Sequence, residues 1–179
     1  MATDTLTIGS TLPTFQSLPG VDGKKYSSKD FVDRKGLAIV FSCNHCPTVQ
    51  AYEDRMVAFQ RDFKAKGIEL IAISSNETEN YPEDSFEEMK KRASQRGFNF
   101  LYLHDEDQSV AKTFGATHTP EFFLFDAQHA LRYHGKMDDN KDAASARVNY
   151  LREAAEAILA GKKVAEAETY SIGCTIKWK

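Results

Sequence analysis

Two cysteines, Cys43 and Cys46, are the residues of this sequence best suited to do chemistry. They follow an apolar run at residues 37–42 and precede a long amphipathic segment, so we expect them at the start of a helix. The first turn of a helix carries unpaired N–H groups and partial positive charge, which lower the pKa of a thiol there. The second cysteine, one helical turn on, can attack a mixed disulfide formed on the first. The spacing therefore predicts a redox site.

The two residues between the cysteines, Asn44 and His45, are candidates for tuning this chemistry. An imidazole beside a cysteine can be cationic near neutral pH and then stabilises the thiolate. A polar pair at these positions should favour the reduced dithiol. The alternative is that His45 faces solvent and has little influence, and we expect the tuning role.

Thr119 and Pro120 directly precede a predicted strand. Proline suits the first residue of a strand, and X-Pro bonds are the ones that can be cis. The next residue, Glu121, can face the dithiol and move the proton that a buried thiol must lose. A charged residue at a strand start is more often solvated, which is what we expect here. The acidic groups at residues 77–84 and 105–107 are also expected to be solvated.

The third cysteine, Cys174, lies close to the C-terminus and has two interpretations. It can resolve a disulfide or a sulfenic acid formed at the other cysteines, or it can pack as a small apolar residue beside Ile172, Ile176 and Trp178. Because a CxxC pair already contains its own resolving thiol, we expect packing.

A zinc site is the main alternative to redox chemistry at the CxxC. A closed zinc site needs four ligands, and this sequence offers only Cys174 beyond the pair and no His-x3-His spacing. We therefore predict neither a metal nor a cofactor. Two inert, buried cysteines are also disfavoured, because both are expected at an exposed helix start.

Length and composition indicate an ordinary soluble protein. The 179 residues, 41% of them hydrophobic, suit one domain over residues 1–179, with an N-terminal extension at 1–36 and a C-terminal tail at 162–179. The net charge of -3 gives no basic field, so nucleic acid is not an expected partner. Residues 1–7 show no signal-peptide pattern, and the longest apolar stretch, residues 37–41, is too short to span a bilayer. A cytoplasmic location without a membrane partner is expected, and three cysteines in such a reducing compartment argue against a disulfide framework.

Hydrophobic periodicity predicts alternating strands and helices. In the clearest helix, which follows Cys46 and ends at Gly67, apolar residues recur three and four apart from Val49 to Phe63. The other predicted elements are a short helix at 29–33 capped by Ser28, strands at 37–42, 68–75 and 98–103, helices at 86–96, 109–114 and 143–160, and a strand pair at 121–126 and 130–136. This order predicts an α/β sandwich with a central mixed sheet.

Taken together, these segments resemble the thioredoxin superfamily, and within it the peroxiredoxin-like branch related to alkyl hydroperoxide reductase and thiol-specific antioxidant (redoxin). The resemblance rests on residues 9–26, on Phe41-Ser42-Cys43-Asn44-His45-Cys46-Pro47, on residues 119–126 and on residues 173–178. It implies a thioredoxin-like sandwich, a central mixed sheet flanked by helices, with an N-terminal hairpin and a C-terminal tail extension. It also implies that Pro120 is cis and faces the dithiol, that Cys43 attacks a substrate disulfide and that Cys46 resolves the mixed disulfide.

Two departures from the peroxiredoxin pattern affect the expected activity. Cys43 stands where peroxiredoxins have a threonine, although Cys46 and Pro47 match the peroxidatic cysteine and the proline that often follows it. Pro120 stands near the position of the arginine that polarises the peroxide. The leading hypothesis is therefore a thiol-disulfide oxidoreductase that acts on protein or small-molecule disulfides and is recycled by a thiol reductant. A thiol-dependent peroxidase that reduces hydroperoxides through a sulfenic acid is the alternative, and a redox-sensing or metal-holding binding module is a third class.

Overall fold

The computed structural model describes residues 5–179. The expectations that concern residues 1–4, including part of the signal-peptide argument, lie outside the described residues. The helices are α1 (Pro47–Lys64), α2 (Phe86–Gln95), α3 (Ser109–Phe114) and α4 (Tyr150–Leu159). The strands are β1 (Leu18–Pro19), β2 (Lys25–Tyr26), β3 (Gly36–Ser42), β4 (Ile68–Ser74), β5 (Leu101–His104), β6 (His118–Thr119), β7 (Glu121–Asp126), β8 (Leu131–Gly135) and β9 (Cys174–Thr175).

A five-stranded mixed sheet forms the centre, in the order β5-β4-β3-β7-β8. Strands β3, β4 and β5 run parallel, whereas β7 is antiparallel to both β3 and β8. A small hairpin, β1-β2, lies in the N-terminal extension, and β9 from the C-terminal tail pairs with β6. The predicted α/β sandwich with a central mixed sheet is confirmed.

Successive side chains of the central strands point to opposite faces of the sheet, and each face is covered by different helices. On β3, Ala38 and Val40 belong to the core cluster that α1 and α4 complete. Leu37, Ile39 and Phe41 belong to the cluster on the other face, which α3 and the N-terminal extension complete. Because both faces are buried, β3 is apolar along its whole length, as the sequence predicted.

Helix α1 forms as its apolar spacing predicts. Its inward-facing residues include Val49, Met56 and Phe63, which are buried against the sheet. Pro47 occupies the first helical turn, and Gly67, at φ +93, turns the chain into β4. This helix fixes the position of the cysteine pair that precedes it.

Helix α4 is shorter than predicted because it begins at Tyr150 rather than at residue 143. The backbone N–H groups of Arg147 and Val148 donate to the Asp139 carboxylate, at 2.7 and 3.1 Å, and this holds the preceding segment out of the helix. The short N-terminal helix is a 3-10 turn, Ser28–Phe31, capped by Ser27 rather than Ser28.

The expectation that residues 105–107 are solvated is wrong for Asp105. Its carboxylate is fully buried and accepts hydrogen bonds from the N–H groups of Val110 and Ala111, at 3.2 and 3.0 Å, in the first turn of α3. Among residues 5–179, no helix is both long enough and apolar enough to cross a membrane.

Candidate active site

The cysteine pair lies in the connection between β3 and α1. Strand β3 ends at Ser42 and α1 begins at Pro47, with Cys46 as the N-cap residue. Cys46 therefore faces the unpaired N–H groups of the first turn. Cys43 lies just after the strand, three residues before the N-cap. Cys46 therefore receives the full effect of the partial positive charge at the helix start, whereas Cys43 does not.

Asp84 holds this connection in place. Its Oδ1 atom accepts hydrogen bonds from the backbone N–H groups of Asn44, at 2.7 Å, and His45, at 3.2 Å. Its Oδ2 atom accepts from the side-chain amide of Asn76, at 2.9 Å, and contacts the His45 ring. The carboxylate is fully buried, so the expectation that the acidic residues of 77–84 are solvated is wrong for Asp84, and it is wrong for the buried Glu77 as well. The reason for Asp84 is that the Asn44 N–H group and the Asn76 amide are buried and need an acceptor.

The two residues between the cysteines have different surroundings. Asn44 is buried; its side-chain amide donates to the Glu83 carbonyl, at 3.0 Å, and its Oδ1 atom accepts from the Tyr102 hydroxyl, at 2.8 Å. The His45 ring is partly exposed and stacks on Tyr81, with ring centroids 5.6 Å apart. Asn44 thus anchors the connection internally, and His45 is the member of the pair that reaches the surface.

Thr119 contacts both sulfur atoms of the pair from the segment that precedes β7. The Thr119–Pro120 peptide bond is cis, as the resemblance implies. The Sγ atom of Cys43 lies 3.7 Å from the Thr119 hydroxyl, and the Sγ atom of Cys46 lies 3.6 Å from the Thr119 carbonyl oxygen. The sequence-predicted residues Cys43, Cys46 and Thr119 are therefore brought together.

Cys174 also belongs to this site, which the sequence did not lead us to expect. Its Sγ atom lies 2.6 Å from the Sγ atom of Cys46, a separation that approaches the roughly 2.05 Å of a disulfide bond. The expected packing with Ile172, Ile176 and Trp178 is wrong. Ile172 and Trp178 are 65% and 43% exposed, and Ile176 is buried in a different cluster from the one that Cys174 contacts. Pairing of β9 with β6 places Cys174 here, and no local pattern reveals that pairing.

The pKa values of the two paired thiols shift in opposite directions. The pKa of Cys46 is lowered to about 4, chiefly because the Cys43 thiol donates a hydrogen bond to it. Burial opposes this shift, whereas the Cys174 thiol and the backbone N–H of Val49 add to it. The same contact with Cys46, together with burial and the charge of Asp84, raises the pKa of Cys43. These shifts favour the charged form at Cys46 over that at Cys43, whereas the resemblance implies that Cys43 attacks.

Both cysteines of the pair are inaccessible in this structure. Cys43 is 1% exposed and Cys46 is fully buried, so the expectation of an exposed helix start is wrong. The C-terminal tail is part of the cover over Cys46, because Cys174 packs directly against the pair. In this position the tail limits access to Cys46.

Glu121 is buried but does not face the dithiol. It lies on the opposite face of the sheet, where its carboxylate accepts from the His134 ring at 2.6 Å and from the backbone N–H groups of Thr117 and His118, each at 3.0 Å. Burial raises the pKa of Glu121, but these hydrogen bonds outweigh it, so the net shift is downward. The expectation that Glu121 is solvated is wrong, since its side chain is buried and its carboxylate accepts from the His134 ring and two backbone N–H groups.

One group of side chains in the described part of the chain places ligand atoms close enough to share a metal ion. Ligand atoms of Cys43, His45 and Asp84 lie within 4.8 Å of one another. The group provides three of the four ligands of a closed zinc site, and the Asp84 oxygens already accept several hydrogen bonds.

Sequence reasoning missed two features of the site: the buried carboxylate of Asp84 and the contact of Cys174 with Cys46. Asp84 stands in an acidic loop beside Glu83, and nothing in the local pattern separates the buried residue from the exposed one. The available signal was physical: the connection before α1 has N–H groups that require an acceptor.

A cysteine pair before a helix, a cis-proline loop against both sulfurs and a mixed sheet with helices on both faces define the class of thioredoxin-like thiol redox proteins. More particularly, the chain belongs to the AhpC/TSA family, whose model matches residues 8–134.

Several solved structures and curated proteins are similar to this chain. An uncharacterized conserved protein from Geobacillus kaustophilus is 39% identical, with a TM-score of 0.92 over 100% of this chain and 96% of that chain. A hypothetical protein from Sinorhizobium meliloti 1021 is 36% identical, with a TM-score of 0.92 over 98% and 97%. The thiol-disulfide oxidoreductase ResA of Bacillus thuringiensis (strain Al Hakam) is 29% identical over 119 residues. That match covers 66% of this chain and 64% of the length of ResA.

Proposed function

We propose that this protein is a thiol-disulfide oxidoreductase in which Cys46 and Cys43 form the working dithiol. The observation that carries the proposal is the position of Cys46 at the N-cap of α1, where Cys43 packs beside it and Thr119 contacts both sulfurs. A stabilised thiolate beside a second thiol is what disulfide exchange requires. The name of the relative ResA supports the same activity.

The first step is attack by the Cys46 thiolate on one sulfur of a substrate disulfide. A bond forms between Cys46 and that sulfur, the substrate S–S bond breaks, and the other substrate sulfur leaves as a thiolate. The leaving thiolate takes up the proton of the Cys43 thiol, whose raised pKa keeps it protonated until this point.

The second step is attack by Cys43 on the Sγ atom of Cys46. The Cys43–Cys46 disulfide forms and the remaining substrate thiolate leaves, so the substrate gains two electrons and the dithiol loses them. An external dithiol then reduces the Cys43–Cys46 disulfide. A reducing compartment such as the cytoplasm supplies thiols of that kind, and the expected location is part of this proposal.

A hydroperoxide peroxidase is the second candidate, and the contact between Cys46 and Cys174 favours it. The Cys46 thiolate would attack the peroxide oxygen and become a sulfenic acid, and a neighbouring thiol would condense with it, releasing water. Cys174, at 2.6 Å, is placed for that condensation. Rapid consumption of hydrogen peroxide by the reduced protein, far above the rate of free cysteine, would support this candidate.

The proposal is tested by trapping the first covalent intermediate. The double variant Cys43→Ser/Cys174→Ser leaves Cys46 as the only thiol, so we expect a stable mixed disulfide with glutathione after addition of glutathione disulfide. The matched variant Cys46→Ser/Cys174→Ser should form no such adduct at neutral pH, because the remaining thiol is protonated. Mass spectrometry of the acid-quenched proteins measures both.

The outcome of this comparison also fixes the order of attack. An adduct only on the variant that retains Cys43 would establish Cys43 as the attacking residue. Wild-type protein that does not accelerate insulin reduction by dithiothreitol, with its cysteines reduced at the start, would refute the oxidoreductase proposal.

A further inference from the structure

The C-terminal tail occupies the edge of the cis-proline segment as an added strand. β9 pairs antiparallel with β6, with Cys174 opposite Thr119 and Thr175 opposite His118. The N–H group of Ile176 continues the ladder by donating to the Thr117 carbonyl at 2.9 Å. An extended peptide that adds to a sheet edge makes the same main-chain hydrogen bonds.

The tail approaches this edge closely at Gly173. A Cβ atom at Gly173 would lie 2.1 Å from the carbonyl oxygen of Thr119 and 3.3 Å from the Cδ atom of Pro120. Only glycine, which has no Cβ atom, lets the backbone of the tail come this close to Thr119 and Pro120. The close approach brings the next residue, Cys174, down onto Cys46.

Contacts on both sides of β9 hold the tail in place. Before β9, the Thr169 hydroxyl accepts from the N–H of Lys136 at 2.9 Å and shares a hydrogen bond of 2.7 Å with the Tyr133 hydroxyl. After β9, the Lys177 carbonyl accepts from the N–H of Glu77 at 2.8 Å and from the Gln108 amide at 2.9 Å. Between these anchors the tail crosses the cysteine pair.

The tail leaves room beside it for a different peptide. Ile172 is 65% exposed at the rim of a cavity of about 270 Å³ that Tyr52, Pro120 and Met137 also line. The side chain of Ile172 does not fill this cavity, so a larger side chain on a competing strand has space there.

We propose that the tail is a tethered substrate strand: Cys174 exchanges disulfides with Cys46, and the docked tail competes with an external, extended, cysteine-containing polypeptide for the edge of β6. The proposal extends the proposed function, since it names the class of substrate and the residue that competes with it. The 2.6 Å contact between the two sulfurs and the strand pairing carry it.

The substrate disulfide is the only oxidant that this exchange needs. After the Cys46 thiolate has formed a mixed disulfide with the substrate, the Cys174 thiol attacks Cys46. The Cys46–Cys174 disulfide forms, and the released substrate thiolate takes up the proton of Cys174. Cys43, which gave up its proton when the first substrate thiolate left, then attacks Cys46, and Cys174 leaves as a thiolate that takes up a proton from water. This last step breaks one disulfide and forms another, so no electrons are gained or lost.

The test compares Gly173→Ala with Tyr170→Ala in the full-length protein. The added methyl group of Gly173→Ala should lift the tail, whereas Tyr170 is 92% exposed and its removal should leave the tail docked. Each reduced protein receives one equivalent of glutathione disulfide, is quenched in acid at increasing times, and its disulfides are mapped by mass spectrometry. A parallel sample is alkylated with iodoacetamide at neutral pH.

We expect Cys46–Cys174 as the first internal disulfide in the wild type and in Tyr170→Ala, and Cys43–Cys46 in Gly173→Ala. Alkylation of Cys46 should be at least about tenfold faster in Gly173→Ala, because a tethered strand acts as a competitor of high effective concentration. Cys174→Ser, which keeps the strand but loses the thiol, should form Cys43–Cys46 and stay as protected as the wild type. This second variant gives a result even where Gly173→Ala does not fold.

Two results would overturn the proposal. One is a wild type that forms only Cys43–Cys46 at every time point, and the other is a folded Gly173→Ala protein whose Cys46 is alkylated at the wild-type rate. Failure of the proposed function can be distinguished from failure of this proposal. The first appears as absent insulin reduction, whereas disulfide mapping and alkylation do not depend on that activity.

Discussion

The Sγ atom of Cys46 lies 2.6 Å from the Sγ atom of Cys174, a residue 128 positions further along the chain. This contact joins a thiol at a helix N-cap to a thiol on an added edge strand. It brings a third cysteine to the pair, and it places the C-terminal tail over Cys46.

The Cys46 thiol should titrate far below an ordinary cysteine. Its pKa is lowered to about 4 by the hydrogen bond from Cys43 and the other donors around it, so the thiolate should persist from neutral pH until the pH falls to about 4. Ultraviolet thiolate absorbance of the reduced protein during an acid titration measures this midpoint. The Cys46→Ser variant should lose the transition. A wild-type midpoint near that of free cysteine would contradict the donation of hydrogen bonds to Cys46.

Replacement of Asp84 by asparagine should destabilise the fold. The buried carboxylate accepts hydrogen bonds from Asn44, His45 and Asn76, and an amide cannot satisfy all of these donors. We expect a loss of about 2–3 kcal/mol in the free energy of unfolding, measured by urea denaturation. The neighbouring acid Glu83, about half exposed, provides the control: Glu83→Gln should change stability by less than about 0.5 kcal/mol. Equal effects for the two variants would contradict the assigned role of Asp84.

Glu121 should contribute stability that depends on pH. Its folded-state pKa is lowered because the hydrogen bonds from His134, Thr117 and His118 outweigh burial, so its contribution is present above the unfolded pKa and is lost as the pH falls through the lower folded value. Glu121→Gln should therefore be less stable than the wild type by about 2 kcal/mol at neutral pH. The difference in the free energy of unfolding between Glu121→Gln and the wild type should become smaller below about pH 4.5.

Thermal or urea unfolding at several pH values tests this prediction. Glu166→Gln, at an exposed position of the tail, serves as the control and should follow the wild type at every pH. A difference between Glu121→Gln and the wild type that does not change with pH would show that the carboxylate charge is unimportant.

Purified, reduced protein should not retain stoichiometric zinc. Cys43, His45 and Asp84 are close enough to share an ion, but the raised pKa of Cys43 keeps that ligand protonated, and the Asp84 oxygens are already hydrogen-bonded. The protein is incubated with excess zinc, dialysed without chelator, and analysed for metal. One zinc ion per chain, lost in His45→Ala, would establish a metal site and contradict the redox assignment of the cysteines.

Release of the tail should affect the KM for a protein disulfide more than kcat. In Gly173→Ala the tethered competitor is removed, so we expect the KM for insulin, with dithiothreitol as reductant, to fall about tenfold while kcat stays near the wild-type value. Tyr170→Ala should keep both wild-type constants. A change confined to kcat would show that the tail affects the chemical steps and does not compete for the binding edge.

The sequence by itself determined the elements and the chemistry type. The continuous apolar run before Cys43 predicts a strand buried on both faces, and the spacing from Val49 to Phe63 predicts α1, because these patterns reflect burial of neighbouring residues within one element. The cysteine spacing and Thr119-Pro120 indicate thiol redox chemistry, and each can be recognised in sequence because it is a short, local pattern.

Only the tertiary structure decided which groups meet. Cys174 reaches Cys46 because β9 pairs with β6, and Asp84 reaches the connection before α1 because the loop after β4 folds over it. Both contacts join segments far apart in the chain, and no local periodicity encodes such a contact. Burial decided the rest: Glu121 and Asp84 look like surface acids in sequence, but both are buried and each accepts several hydrogen bonds from outside its own strand or loop.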